Sequence, residues 1–229
     1  MPDAQLTPMP LHPERELAVA YARRTVRQSL STLLALDERL GTIVARAREP
    51  GIGMIRLLWW RDALIALDTA PPPAEPLLAA AAALRPDRIA GSELAAMADG
   101  WEVLFDDPDL GIETAMTHAG QRGTQLFTLI GRVLGPAAQL SRLASAGEGW
   151  ALADLARHYA PPERRQPLLA AAQAPLESAM ATPWPVSLRP LGMLAALALQ
   201  DVRRGADALR PPASSARLLR VLAHRWTGR

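Results

Sequence analysis

No cysteine occurs in the 229-residue sequence, which excludes a disulfide framework, a thiolate metal site and a cysteine nucleophile. Lysine is absent too. All 25 basic residues are arginine, so neither a Schiff-base lysine nor a P-loop lysine is available. Asparagine is missing as well. With two tyrosines and two phenylalanines, most of the aromatic mass lies in six tryptophans. No apolar run reaches the roughly 18 residues a membrane span needs; the longest, Pro76–Leu84 and Leu191–Leu199, are too short. The first ten residues hold an acid and three prolines, with no basic segment ahead of an apolar run. No secretory signal is expected, and the expected location is cytoplasmic or peripheral at a membrane.

What is present is alanine, leucine, proline and arginine in abundance, a bias of the kind GC-rich coding produces. The isoelectric point of 9.8 is therefore not read as a sign of nucleic-acid binding. Charge is segregated along the chain. Residues 210–229 hold five arginines and no acid, while Asp99–Glu113 holds six acids and no arginine. A basic tail on a mildly acidic body points to an anionic surface or partner.

Helix formers dominate and period-two alternation is scarce, so the chain reads as one all-α bundle. A tail over 1–13 precedes a helical domain over 14–210 and a basic C-terminal helix over 211–229. Pro13 before Glu14 and Glu16 suits an acidic first turn, and the pattern predicts one long helix to about Arg48. A second, from about Ile52 to Asp68, carries two adjacent apolar stripes, Ile52-Ile55-Trp59-Ala63-Ala66 and Leu57-Trp60-Leu64-Leu67, and is expected to be largely buried. After the proline linker Ala70–Pro76 come a short alanine-rich helix, one capped by Ser92 running to about Phe105, and one from Asp107-Pro108 to near Gly135-Pro136. Further helices are expected from there to His158, then over about 164–180, 188–208 and 214–226. In the last, Leu218, Leu222 and Trp226 share a face with Leu219 beside them. Arg217, Arg220 and Arg225 lie off that stripe, either snorkelling from a capping helix or facing anionic lipid.

The segment Glu49–Leu67 (EPGIGMIRLLWWRDALIAL) resembles the squalene/phytoene synthase family, the head-to-head prenyl diphosphate synthases. It is most similar to their short divergent branch, which includes complex I assembly factor-like members. Met97–Phe105, Thr117–Gly135 and Ala146–His158 follow in the same order, extending the resemblance over roughly residues 14–210. It implies the isoprenoid-synthase fold, with helices around a deep apolar cavity. Active members use Mg²⁺ to neutralise the diphosphate leaving group, and the cavity shields a carbocation. Two aspartate-rich motifs on facing helices hold the metals.

Both motifs are broken here. The first should fall on Ala35–Ala45, where the acid positions read Gly41, Thr42 and Ala45. At the second, the Gln, Asn and first Asp positions read Ala151, Asp154 and His158, and only Arg157 matches the polar set. Asp154 and His158 are i, i+4 and form the remaining candidate metal pair, although hard Mg²⁺ wants oxygen ligands and a polar surface pair is the plainer reading.

Other candidates are weighed the same way. Asp106-Asp107-Pro108-Asp109 reads as helix-start acids rather than a metal motif. Asp37-Glu38, with Arg39 and Arg46 nearby, reads as a solvated face. Trp59 and Trp60 point about 100° apart, so one can enter the core while the other lines a cavity or interface. Arg61 and Asp62 read as surface or inter-helix pairs. Trp59, Trp60, Arg61 and Arg157 are the candidates for a substrate cavity. Arg23, Arg24 and Arg27 could grip a diphosphate, with an exposed basic face the plainer alternative. His118 and His224 read as structural or exposed.

The expected function is a squalene/phytoene synthase-like protein that has lost metal-dependent catalysis and serves as a lipid-binding or assembly protein. The alternatives are an active Mg²⁺-dependent prenyltransferase with displaced ligands, and a helical scaffold unrelated to that family, with a basic tail for a partner and no large internal cavity. No cofactor is expected on the first reading. Its partners would be an isoprenoid or other lipid, an anionic membrane surface contacted through Arg217, Arg220, Arg225 and Trp226, or a protein. Nucleic acid is not expected.

Overall fold

Proline sets five of the helix starts among the described residues. Pro13, Pro50, Pro76, Pro162 and Pro190 each sit in a helix's first turn, where a backbone N–H has no intrahelical partner to lose. The computed structural model describes residues 11–87, 89–135, 140–212 and 214–229, and all regular structure among them is helical. No described helix is long and apolar enough to cross a membrane. The part of the expected N-terminal tail over 1–10, and with it the reading of those residues for a signal, lies outside the described residues.

The long first helix is two. α1 (Pro13–Tyr21) and α2 (Arg27–Arg46) are separated by extended backbone at Ala22 and Arg23 and by a short 3₁₀ turn, Arg24–Val26. Arg27 closes the break by donating to the carbonyls of Ala22 and Ala20 at 3.0 and 2.7 Å. Those carbonyls lost their helical donors when α1 ended. The break lets α1 fold back along α2 and lie against α10.

In α3 (Pro50–Ala66), only one of the two apolar stripes is buried. Leu57, Trp60 and Leu64 face inward, and α3 packs on α5 and α2. Ile52, Ile55 and Trp59 are exposed, correcting the expectation of a largely buried helix. After α4 (Pro76–Ala82), α5 (Gly91–Glu102) begins one residue before Ser92, which is therefore not its cap. The backbone N–H groups of Gly91 and Ser92 donate to the Asp68 carboxylate at 2.6 and 3.0 Å.

The stretch read as one helix up to Gly135 is α6 (Ile112–His118), a wide π turn (Ala119–Gly123) and α7 (Thr124–Leu134). Asp107 accepts from the Gly111 N–H and the Thr114 hydroxyl, both at 2.7 Å, as an acid before a helix start should. Then come α8 (Leu140–His158), α9 (Pro162–Met180), α10 (Arg189–Arg204) and α11 (Ser215–Thr227). The expected start of α8 at Pro136 lies outside the described residues. α10 ends before 208 because Gly205 turns the chain at φ 78°.

α8 is the central element, packed against the π turn, α7, α9 and α10. Its small residues permit this. Gly147 meets Gly123 of the π turn so closely that a Cβ on either would strike the other's carbonyl oxygen. That crossing seats Arg122, the residue before Gly123, beside α8. The C-terminal helix also belongs to the bundle: α11 packs on α10, and Tyr21 Oη donates to the Val221 carbonyl at 2.9 Å.

Candidate functional site

Two buried ion clusters meet at the first turn of α1. Arg15 and Arg122 face Asp37 on α2 and Asp154 on α8, while Glu14 faces Arg217 on α11, which also pairs with Asp201 on α10. The Arg122 guanidinium meets Asp37 side-on, Nε to Oδ1 and Nη2 to Oδ2, both at 2.7 Å. Its Nη2 also donates to Asp154 Oδ2 at 2.7 Å. Arg15 Nη1 donates to Asp37 Oδ2 at 2.9 Å, Nη2 lies 3.5 Å from Asp154 Oδ1, and Nε lies 3.2 Å from Glu38 Oε1. Trp101 Nε1 donates to Asp37 Oδ1 at 3.2 Å. Such side-on, charge-assisted pairs are the strongest protein hydrogen bonds.

Aromatic faces complete the enclosure. The Arg122 guanidinium carbon lies 4.1 Å from the Trp101 ring centroid and 4.8 Å from that of Trp150, and Arg15 lies 5.2 Å from Trp150. Stacking between tryptophans suits a flat, weakly hydrated guanidinium in a way no ammonium would match. Below it, Arg122 Nη1 approaches His118 Nε2 at 3.3 Å, while His118 Nδ1 stands 2.6 Å from the Gly100 carbonyl. Those two partners require a neutral imidazole with its proton on Nδ1. Burial, aided by the Arg122 charge, pushes the His118 pKa down to about 3.

Charges balance locally. Arg15 and Arg122 offset Asp37 and Asp154, and Arg157 and Arg217 offset Glu14 and Asp201. Burial alone would raise the Asp37 and Asp154 pKa values, but the Arg122 and Arg15 charges outweigh it and hold both below the usual carboxylate range. Both acids stay ionised at neutral pH and serve poorly as general acids or bases. Glu38 differs: burial raises its pKa.

Two of the places where the resemblance puts metal-motif residues, Gly41 and Ala151, are closed by packing. At Gly41, an added Cβ would stand 2.5 Å from the Tyr159 hydroxyl and 2.7 Å from the Trp101 ring. Ala151 is fully buried, its methyl group facing Gly123. Thr42 and Ala45 line an open cleft of about 260 Å³ with His12, Glu38, Asp154 and His158. Among the described residues, no group of three or more histidine or acidic side chains is placed to hold a metal ion. The donor set does not fit Mg²⁺, because the oxygens of Asp37 and the Oδ2 of Asp154 already accept from guanidinium groups. Beside the cluster, a second cleft lined by His12, Arg15, Trp150 and Asp154 measures only about 30 Å³, the volume of one water molecule.

Several sequence readings need correction. Asp37 is not on a solvated face but wholly buried, and Asp154 belongs to the buried cluster rather than to a surface pair. His158 lies 3.9 Å from Asp154 Oδ1 and stacks edge-on to His12 at 5.0 Å. Arg217 cannot face a membrane, because it is buried between Glu14 and Asp201. His118 and His224 are both fully buried. Glu14 is no mere dipole partner of α1; it is the acid that fixes Arg217.

Other candidates sit apart from the clusters. Trp60 is buried under Arg39, whereas Trp59 is 50% exposed. Arg61 reaches Glu102 at 3.3 Å and Asp99 at 3.8 Å on α5, away from the ion clusters. Arg157 bonds Asp201 at 3.0 Å. Arg23 and Arg24 are exposed, and Arg27 is spent on the α1 carbonyls. Arg225 and Trp226 lie toward solvent on α11, with Trp226 79% exposed, and Arg220 is half-buried. Arg15, Arg122, Trp101 and Asp201 were not singled out by sequence reasoning, though Asp37 lies four residues from Leu33 and seven from Leu30 on the apolar stripe of α2. Comparison of the chain with protein-family models, curated proteins and solved structures returned no match.

Proposed function

We propose that this chain is a squalene/phytoene synthase-like bundle of the isoprenoid-synthase type that has given up metal-dependent catalysis and works as a binding or assembly protein. The observation that carries this reading is the pairing of Asp37 and Asp154 with Arg122 and Arg15. The resemblance places metal motifs on α2 and α8, the helices that bear these two aspartates. In a prenyl synthase such carboxylates would point at Mg²⁺ and a diphosphate. Here two guanidinium groups supply the positive charge permanently. A metal ion could displace Arg122 only by leaving a buried guanidinium without its counter-charge, at a cost of several kcal/mol.

The clefts that border the cluster, one of about 30 Å³ and an open one of about 260 Å³, support lipid or protein contact at the surface over a ligand carried inside. Ile52, Ile55, Leu58, Trp59 and Ile65 are all exposed along α3, and an apolar strip of this kind supports a binding role. The test is incubation with farnesyl or geranylgeranyl diphosphate and Mg²⁺, scoring released diphosphate. Release at the no-protein background is the expected outcome. Turnover that a chelator abolishes would establish the active prenyltransferase instead.

A further inference from the structure

α11 is amphipathic in an unusual sense. Arg217, Val221 and His224 face the bundle, yet the opposite side is also apolar: Leu218, Leu219, Leu222 and Trp226 are exposed, Leu219 by 66%. At 100° per residue those four span one arc of about 100°, with Arg225 at one edge and Arg220 beyond the other. An outward apolar arc with an arginine at its edge and a tryptophan near its end is the pattern of a helix lying in a bilayer interface.

A second feature lies beside it. Arg203 and Arg204, in the last turn of α10, converge with Arg220 of α11 on a groove of about 340 Å³ floored by Ala196 and Leu199. Among the described residues, neither Arg203 nor Arg204 has a carboxylate within ion-pair distance, and Arg220 pairs with no acidic side chain but donates to the main-chain oxygen of Arg229. Burial lowers the Arg220 pKa, and the facing charge of Arg203 lowers it further. Over residues 203–229, Arg203, Arg204, Arg210, Arg220, Arg225 and Arg229 stand against one acid, Asp207, once Arg217 is set aside as internally paired. Like charges brought together without an acid favour an anion from outside.

We propose that α11 and this groove dock the protein on an anionic phospholipid bilayer, with the α11 arc in the headgroup boundary and one lipid phosphate held by Arg203, Arg204 and Arg220. The inference goes beyond the functional reading above and stands whether or not the bundle turns over a prenyl diphosphate. Guanidinium forks match phosphate oxygens, and each arginine near an anionic surface raises affinity about fivefold.

The test is co-sedimentation of the full chain with vesicles of phosphatidylcholine alone or with 30% phosphatidylglycerol. The expected result is binding to the anionic vesicles only, weakened by salt. It should fall about tenfold or more in Arg203→Glu/Arg204→Glu and likewise in Leu222→Ser/Trp226→Ser. All four side chains are exposed, so circular dichroism should show both variants folded. Millimolar inorganic phosphate should not release the protein. Equal binding to both vesicle types, wild-type binding by the Arg203→Glu/Arg204→Glu variant, or release by free phosphate would overturn the proposal. So would a concentration-dependent dimer, abolished by Leu222→Ser/Trp226→Ser, with no vesicle binding.

Discussion

Asp37→Asn should lower the unfolding free energy by about 3–5 kcal/mol, the usual cost of removing one partner from a buried ion cluster. The substitution keeps the side chain's shape and an oxygen for Trp101. What it removes is the charge that both Arg122 and Arg15 face at 2.7 and 2.9 Å. Arg122 is fully buried between two tryptophans and cannot reach water without breaking the Gly123–Gly147 crossing. For a domain of this size the melting temperature should drop by roughly 10 °C. Replacing the whole cluster tells more. Arg15→Met/Asp37→Leu/Arg122→Met/Asp154→Leu removes two charges of each sign, leaves only the partly exposed Glu38 without its arginine, and should cost less than Asp37→Asn alone. Denaturant midpoints of the two variants decide the matter. A single variant as stable as the parent would show that the cluster does not hold its charge as described.

Acid should weaken the fold well before the carboxylates titrate. Burial holds His118 at a pKa of about 3 and His224 at about 4, whereas an unfolded histidine titrates near 6.5. Between those values the unfolded chain binds protons that the folded chain refuses. Stability is therefore complete above about pH 6.5 and declines as the pH falls toward the folded values. The two side chains together should remove on the order of 4 kcal/mol between pH 7 and pH 5. His12 and His158, also lowered by burial, act in the same direction. Glu38 and Asp201, raised by burial, oppose it at the acidic end. Denaturant unfolding at pH 7, 6 and 5 measures the slope, and His118→Gln should reduce it by about half. Equal stability at pH 7 and pH 5 would contradict the neutral, buried state of both rings.

The sequence carried the helices further than it carried the site. Prolines and glycines mark most helix ends, so the order of elements from α3 to α11 is close to what periodicity alone suggests. The faces were harder. α3 is apolar on two adjacent stripes, and which one is buried depends on α5, some thirty residues on. The π turn at 119–123 was hidden for a related reason: one widened turn shifts the helical phase without any composition signal. Asp37 was within reach, since a lone acid on the Leu30-Leu33-Leu40 stripe must find a buried partner. Its partner was not, because Arg122 lies 85 residues away and only the glycine crossing brings it in. That no acid stands at Gly41 or Ala45, where the resemblance would put one, was plain to read. The pairing of Asp37 and Asp154 with two arginines needed the structure.

The most direct measurement is titration of the full chain with Mn²⁺ in the presence of inorganic diphosphate, following free Mn²⁺ by electron paramagnetic resonance. With Asp37 and Asp154 held by Arg122 and Arg15, Mn²⁺ should stay free up to protein concentrations of several hundred micromolar, apart from what diphosphate alone retains. One or more equivalents of Mn²⁺ bound tightly to the protein, and released by Asp154→Asn, would contradict the reading that arginine has taken the metal's place.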